Sequence, residues 1–500
     1  MSNCLSQINV CHFINGKCLD GSNFQERINP SDESISGKTP FATQEELDLA
    51  LKSASNAFPS WKRMSRVKRS DLFFNLCKLI EKEQENLSYI ISLETGKSLN
   101  EAKAEVLESL HMCQWVSAQG RESCGDWKAS EIAQKDAYVI RKPKGVVAVI
   151  SPWNFPLAIG SFWTTGPALL EGNTVVHKPS ELTPFTAQYA ATLYREAGFP
   201  DGVYNVIHGS GHVGAELVIA HEVRSILFTG SASVGQFIRQ ICAGRYTRNC
   251  STETGSKSAT IVFEDGDQNL ALEATVASAF KLTGQRCVSS GRILVQNSIF
   301  KEFCDKFVAK VKTDVTIGSP FDNPAPYCGP LISKTQLERV EFYNNLVDES
   351  VGEVLIQGKR LERKGYYLTP HVYTAKWDLY KNSNKRQVLT EEVFGPHVAI
   401  IPFNDLQHAI DIYNDTEYGL AVGIITDDFR KMKILREECN AGMIYLNGGS
   451  IAAESHLPFG GIGKSGNGYK SAAGTFRAVT DEVAVTLNYE KGITWCQGMK

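Results

Sequence analysis

The chain has no apolar run approaching the eighteen or so residues that a membrane-crossing helix needs. Its opening residues, MSNCLSQINVCHFING, carry no basic cluster followed by a long apolar core. Neither a spanning segment nor a secretory leader is therefore expected. Charge of one sign is also missing: 52 Lys and Arg against 55 Asp and Glu leave a formal net charge of −3. That balance offers no electrostatic footprint for nucleic acid or an anionic membrane, so a small molecule is the expected partner. The thirteen cysteines form no CxxC pair and no Cys/His cluster at zinc spacing. Reduced thiols in a cytoplasmic protein, with no disulfide and no metal, are the expectation. Internal repeats and low-complexity tracts are absent, and linkers are short.

What is there is large and alternating. At 500 residues the chain exceeds what one core usually organises, so two or three domains are expected. From Thr43 to about Gly120 the spacing is helical, opening on a capping box from Thr43 to Glu46. Between Gly145 and Ser251 short apolar strands (VVAVIS, NTVVHKP, GVYNVIHG, SILFTGS) alternate with helical stretches, the pattern of a parallel sheet that binds a nucleotide at its strand C-termini. A second alternating run extends from ATIVFE at Ala259 to VGIITDD near Ile425. The tail FRAVTDEVAVTLNYEK reads as a closing strand, and AYVIRKP or another subunit can pair with it.

Two glycine turns compete for a dinucleotide. GSGHVG, with Gly211 at its centre, matches G-x-G-x-x-G between a strand and a helix, but no acidic residue follows about 20 positions on. GSASVG, residues 230–235, has the same strand-to-helix placement and adds hydroxyls that reach phosphate oxygens. Spacing alone does not choose between them.

Seven segments occur in order: SPWNFPL at 151, HKPSELTP at 177, LFTGSASVG at 227, TETGSKSATIV at 252, TGQRCVSS at 283, EEVFGP at 391 and LPFGGIGKSGNG at 457. Together, from about Phe13 to Tyr489, they resemble the aldehyde dehydrogenase superfamily. The resemblance implies an α/β fold of two Rossmann-like parallel-sheet domains plus a small β oligomerisation domain. Residues 1–120 and 145–253 would bind NAD, 254–463 would form the catalytic domain, and 121–144 with 464–500 would bridge subunits in a homodimer or homotetramer.

It also implies roles. Cys287 is the nucleophile that forms a thiohemiacetal and then a thioester. Asn154 and the Cys287 N–H are the oxyanion donors, and Glu253, 34 residues before the nucleophile, is the base for the deacylating water. Lys178 is counted with both the catalytic and the cofactor residues. Ser151, Pro152, Trp153, Ser180, Glu181, Gly211, Gly230, Ser231, Ala232, Ser233, Val234, Gly235, Thr254, Glu392 and Phe394 complete the cofactor set, with pyrophosphate contact assigned to the GSASVG turn. A carboxylate on the ribose, Glu181, favours NAD over NADP without excluding the latter.

The substrate tunnel would be lined by Phe155, Phe162, Arg286, Val288, Glu108 and Phe459. Arg286 and Glu108 together would suit an amino-acid-derived semialdehyde; the alternative is that they are a structural ion pair or separate surface charges. One departure stands out: where the family reads Glu-Leu-Gly-Gly-Lys, this chain has Glu253, Thr254, Gly255, Ser256 and Lys257. Ser256 adds a Cβ where the backbone nears the cofactor, which puts cofactor affinity in question. Two rival readings remain at this level, a non-catalytic binding protein of the same fold and a dehydrogenase that passes its acyl group to coenzyme A.

Overall fold

The structure is a computed structural model that describes residues 8–246, 248–377 and 384–495. The outermost residues of the expected NAD-binding and bridging segments, 1–7 and 496–500, lie outside the described residues.

Four helices open the compact part of the chain, Gln44–Arg63, Arg66–Lys82, Gln84–Thr95 and Leu99–Gln119. The first begins at the expected capping box: the Thr43 hydroxyl accepts from the Glu46 N–H, and the Glu46 carboxylate accepts from the Thr43 N–H. Its buried stripe, Leu47, Ala50, Leu51, Ala54 and Trp61, shows why three-and-four spacing forms a helix against a core. Burying one such large side chain contributes about 1.5–3 kcal/mol.

Two seven-stranded sheets follow. In the first, five parallel strands stand in the order Asn249–Glu253, Val223–Thr229, Val146–Ile150, Thr174–Lys178, Tyr204–Val206, and an antiparallel hairpin, His12–Ile14 and Lys17–Leu19, closes the edge. The central strands are buried on both faces, which explains their unbroken Val and Ile runs. Chain direction across the sheet reverses beside Val146–Ile150. That places a topological switch point between the ends of this strand and Val223–Thr229, where open α/β sheets bind ligands. The second sheet has the parallel strands His371–Thr374, His397–Phe403, Arg292–Gln296, Ala259–Val262, Ala421–Ile425 and Met443–Leu446, with Val354–Ile356 antiparallel at one edge. Both alternating runs in the sequence thus become sheets.

A third sheet joins Gly125–Lys128, Lys135–Pro143 and the closing strand Thr480–Asn488. The last two pair antiparallel along their length, from Thr480 opposite Pro143 to Asn488 opposite Lys135. Of the two partners open to the tail, AYVIRKP is the one it takes.

One expectation is overturned. Cys11 and Cys18 are joined by a disulfide, with Cα atoms 5.5 Å apart. Their seven-residue spacing carries no signature. The hairpin turn at Asn15 and Gly16, both with positive φ, folds the chain back and brings them within bridging distance. Among the remaining described cysteines, Cys124 is exposed.

Candidate active site

The loops that leave four adjacent strands of the first sheet line one cavity of about 680 Å³. Ser151, Pro152, Trp153 and Asn154 follow Val146–Ile150; Lys178, Ser180 and Glu181 follow Thr174–Lys178. Gly230, Ser231, Ala232, Ser233 and Val234 follow Val223–Thr229, and Thr254 follows Asn249–Glu253. Gly211, Cys287, Glu392 and Phe394 also line this cavity.

The helix Ala232–Ala243 points its N-terminus at this cavity, with Ser231 as N-cap accepting from the Val234 N–H. The free N–H groups of a helix start, the adjoining hydroxyls of Ser231 and Ser233 and the Lys178 ammonium form a donor set suited to an anion. Lys178 Nζ donates to the carbonyls of Pro179 (2.8 Å) and Gly209 (2.9 Å), so the GSGHVG turn meets the cavity by anchoring a lysine. Gly235 does not itself line the cavity, and a Cβ there would come within 2.6 Å of Thr254 Cγ2. The cavity thus fits a dinucleotide by its chemistry and its place at the switch point.

The nucleophile loop is built differently. Leu282 and Thr283, neither of them glycine, have φ of 53° and 55°, and Gly284 has 72°. At Gly284 a Cβ would fall 2.2 Å from the Gly395 carbonyl oxygen, so glycine is required there. Such conformations persist only when their surroundings impose them. Here the Glu101 carboxylate accepts from the Leu282 N–H (2.7 Å), the Thr283 hydroxyl donates to the Gly329 carbonyl (2.9 Å), and the Gln285 side chain accepts from the Ile332 N–H (3.0 Å). Cys287 comes next, its thiol pushed up to about 12 by burial first and then by Glu392 and Glu253.

Asn154 donates its side-chain N–H to the Gln285 carbonyl at 3.0 Å, so its amide faces the nucleophile loop. It is pinned from the other side by two buried charges. Lys97 Nζ donates to the Asn154 carbonyl (2.8 Å) and pairs with Glu105 (2.5 Å). Glu105 in turn accepts from the N–H groups of Leu157 (2.9 Å) and Ala158 (3.2 Å) at the start of the π-helical segment Pro156–Thr164.

Glu253 ends its strand fully buried and does not line the cavity itself. One carboxylate oxygen accepts from the Gly461 N–H at 2.8 Å, and the other has no hydrogen-bond partner among the described residues. Burial raises its carboxyl well above the ordinary range, opposed by Gly461, Lys470 and Arg239. Glu392 is likewise raised, to about 7, by burial, and accepts from the Ser256 N–H at 2.7 Å.

A sequence pattern described as the aldehyde dehydrogenase family matches residues 19–485. This chain belongs to the aldehyde dehydrogenase family. It is 33% identical over 475 residues to alpha-ketoglutaric semialdehyde dehydrogenase of Bacillus subtilis, covering 93% of this chain and 95% of the relative. It is 35% identical to succinate-semialdehyde dehydrogenase (NADP+) GabD of Escherichia coli, covering 91% and 93%. The crystal structure of betaine aldehyde dehydrogenase from Staphylococcus aureus in complex with NAD+ superposes with a TM-score of 0.90 at 29% identity, covering 98% of this chain and 96% of that one. As a member of this family the protein is an NAD(P)-dependent aldehyde dehydrogenase.

Within this dehydrogenase Phe162, Val288 and Phe459, expected around the substrate, belong to one buried apolar cluster against which Phe155 and Cys287 pack. Phe162 is 1% exposed and stacks on Tyr194 at 5.9 Å. An apolar residue beside a motif reads the same whether it faces a tunnel or the core. Val288 and Phe459 are also buried, the latter edge-on to Trp163. Phe155 lies beneath two cations, Lys97 at 4.3 Å and Arg286 at 5.3 Å from its ring centre. Arg286 is indeed in an ion pair, but with Glu101 (3.3 Å) and not Glu108. Its Nε has no hydrogen-bond partner among the described residues.

Ser256 departs from expectation too. Its hydroxyl donates to the Cys287 carbonyl, so the extra atoms join the nucleophile loop. Gly255 is the position with no room, since a Cβ there would lie 2.0 Å from a Glu392 carboxylate oxygen.

Sequence reasoning missed Lys97, Glu101, Glu105, Lys257 and Lys470. Lys257 Nζ fixes the EEVFGP segment by donating to the carbonyls of Val388 (2.9 Å) and Glu391 (2.7 Å). A signal existed for two of them: Glu101 and Glu105 share a helix face with Ala102, Val106 and Met112, all buried, and a charge on an apolar face implies a buried partner.

Proposed function

We propose that the chain oxidises an aldehyde to the free carboxylic acid through a covalent Cys287 intermediate, with an amino-acid-derived semialdehyde as substrate and NAD preferred to NADP. The observation that carries this is the convergence of Cys287 and Asn154 on the same cavity as four strand-end loops suited to a dinucleotide, with Glu253 near enough for its charge to act on the thiol.

In this reading Cys287 Sγ, once deprotonated, adds to the aldehyde carbon, and the carbonyl oxygen becomes an alkoxide. The Asn154 amide, held against the Cys287 loop by its bond to the Gln285 carbonyl, and the Cys287 N–H are the donors that would stabilise that oxygen. A bound nicotinamide cofactor supplies the acceptor for the hydride that leaves the same carbon. The acyl group remains on Sγ as a thioester. Glu253 takes a proton from water as the water oxygen bonds to the acyl carbon, and the carbon–sulfur bond breaks to release acid and thiolate. Glu253 favours water over coenzyme A as acyl acceptor, and the complete Cys287, Asn154 and Glu253 set weighs against a binding protein without activity.

For the substrate, support comes from Glu108. Among the described residues its carboxyl makes no hydrogen bond, and the two cations nearby, Arg286 and Lys97, are committed to Glu101 and Glu105. Burial raises it to about 7, a cost that a substrate ammonium would offset. For NAD, support comes from Glu181 on the cavity wall, where a carboxylate would repel a 2′-phosphate. The same proposal includes NAD binding by residues 1–120 and 145–253, catalysis by 254–463, bridging by 121–144 with 464–500, a cytoplasmic location and a homodimer or homotetramer. Exposed Trp127, Leu487 and Tyr489 on or beside the third sheet offer an apolar contact for a second subunit.

A panel of semialdehydes and plain aldehydes, assayed with NAD and NADP by the absorbance of the reduced cofactor, tests the reading. Highest kcat/KM is expected for an aldehyde bearing an ammonium group, with NAD. Glu108→Gln should raise KM for that substrate and leave plain aldehydes unaffected. No turnover of any aldehyde despite NAD binding would sink the enzymatic reading, and dependence on coenzyme A would replace hydrolysis by acyl transfer.

A further inference from the structure

Lys470 is half-buried and holds the loop that hydrogen-bonds Glu253. Its Nζ donates to two consecutive carbonyls, Gly460 (2.5 Å) and Gly461 (3.0 Å). The N–H of Gly461 is the group bound to Glu253 at 2.8 Å. The loop has no freedom to approach otherwise: a Cβ on Gly460 would meet a Glu253 oxygen at 2.1 Å, and one on Gly442 would meet the Gly460 carbonyl at 1.8 Å and Lys470 Nζ at 2.6 Å. Gly460 itself has φ of 156°. One ammonium thus fixes a crowded peptide at the carboxylate. Among the described residues no side chain binds the other Glu253 oxygen, which is unpartnered.

We propose that Lys470 is a positioning residue for Glu253: by binding the Gly460 and Gly461 carbonyls it holds the Gly461 N–H on the carboxylate and supplies the positive charge that keeps Glu253 able to accept a proton from the deacylating water. The inference rests on Glu253 being the deacylation base. The charge balance around Glu253 supports it. Burial favours the neutral acid, and the groups opposing it are the Gly461 N–H, Lys470 and Arg239. Cys287 and, beyond it, Glu392 are the titratable groups on the thiol side. Lys470 responds reciprocally: burial lowers it and Glu253 raises it. Arg239 is already committed to the Thr252 hydroxyl at 2.7 Å, which leaves Lys470 as the cation tied to the Glu253 loop.

The atoms balance without Lys470 reacting. The proton moves from water to Glu253 and onward to solvent, the water oxygen bonds to the acyl carbon, and Sγ departs as thiolate. Lys470 stays protonated throughout. Its loss should therefore spare acylation and impair only hydrolysis of the thioester.

The experiment is rapid-mixing and steady-state kinetics across pH on wild type, Glu253→Gln, Lys470→Met, Lys470→Gln and Lys470→Arg. For Lys470→Met a full first-turnover burst of reduced cofactor is expected. The rising limb of kcat should move to higher pH by about one unit, so that turnover falls roughly tenfold below that limb. Hydroxylamine, which attacks thioesters without a base, should restore turnover. Lys470→Arg should return the limb toward wild type, and Lys470→Gln, which keeps a donor but no charge, should not. A wild-type limb in folded Lys470→Met or Lys470→Gln overturns the inference, as does loss of the burst together with the steady-state rate. If Lys470→Met does not fold, the contrast between Gln and Arg decides. Glu253→Gln separates the premise: equal steady-state rates for it and wild type would refute Glu253 as base, whereas a stall in Glu253→Gln with no change on Lys470 substitution would refute only the role given to Lys470.

Discussion

The two walls of the site are made by different means. On the nucleotide side the groups are short loops at the ends of adjacent parallel strands, and most serve the cavity from their own few residues: Ser151 to Trp153, Ser180 and Glu181, Gly230 to Val234. On the nucleophile side each reactive group is held by residues distant in sequence. Glu101 binds the Leu282 N–H, Lys97 the Asn154 carbonyl, Lys257 the 388–391 segment and Lys470 the Gly460–Gly461 peptide. Binding a dinucleotide asks for free N–H groups and a dipole, which a helix start supplies by itself. Covalent catalysis asks for reacting groups fixed relative to one another, which no local motif can supply.

The sharpest break of this contrast is Cys287→Ala. Aldehyde oxidation should fall on the order of 10⁴-fold or more, while NAD binding, followed by calorimetry, should be retained, since the dinucleotide wall does not depend on the thiol. Loss of NAD affinity in the same variant would show that the two walls are one cooperative unit. In the intact protein the thiol is held up at about 12 and the Glu253 carboxyl is also raised. The thiol is therefore protonated at neutral pH, so alkylation of Cys287 in the free enzyme should speed up as pH rises toward the thiol's value. A rate of alkylation already at its maximum at pH 6 would contradict that.

Asn154→Ala comes next. Removing one fixed donor from an oxyanion site lowers kcat by about 10²–10³-fold. The wall containing Trp153 and Ser151 should still bind NAD, so kcat should fall far more than NAD affinity. Lys97→Met acts one step further out. It leaves Glu105 buried without its cation, which costs about 3–5 kcal/mol of stability, measurable by denaturant unfolding. It also releases the Asn154 carbonyl, and kcat should fall by about tenfold without a change in the substrate series. A stability loss with unchanged kcat would mean that Lys97 serves the fold alone.

The same contrast explains what could be read in advance. The alternating strands, the capping box at Thr43 and the GSASVG turn were legible because each is a local pattern with a local cause. GSGHVG meets the cavity through Gly211 and through the Gly209 carbonyl on Lys178 Nζ, a contact that no spacing rule contains. The Cys11–Cys18 bridge, the burial of Phe162 and the pairing of Arg286 with Glu101 instead of Glu108 were not legible, for a common reason. Each depends on which of several chemically equivalent neighbours the tertiary fold brings near. Cys287 is singled out by the company its motif keeps, whereas the charges that hold its loop carry no motif.

The smallest expected effect is the most discriminating, because Ser256 lies on the seam between the two walls. Read from sequence, its extra Cβ threatened the cofactor. In the structure it has no positive φ, its N–H holds Glu392 at 2.7 Å, and its hydroxyl donates to the Cys287 carbonyl. A single such bond contributes about 0.5–1.5 kcal/mol net. Ser256→Gly should therefore lower kcat by roughly twofold to tenfold through a looser nucleophile loop, with the Kd for NAD nearly unchanged, as kinetics and calorimetry on one preparation would show. Tighter NAD binding at unchanged kcat would assign Ser256 to the nucleotide wall instead, and would mean that the serine tunes the cofactor in this chain.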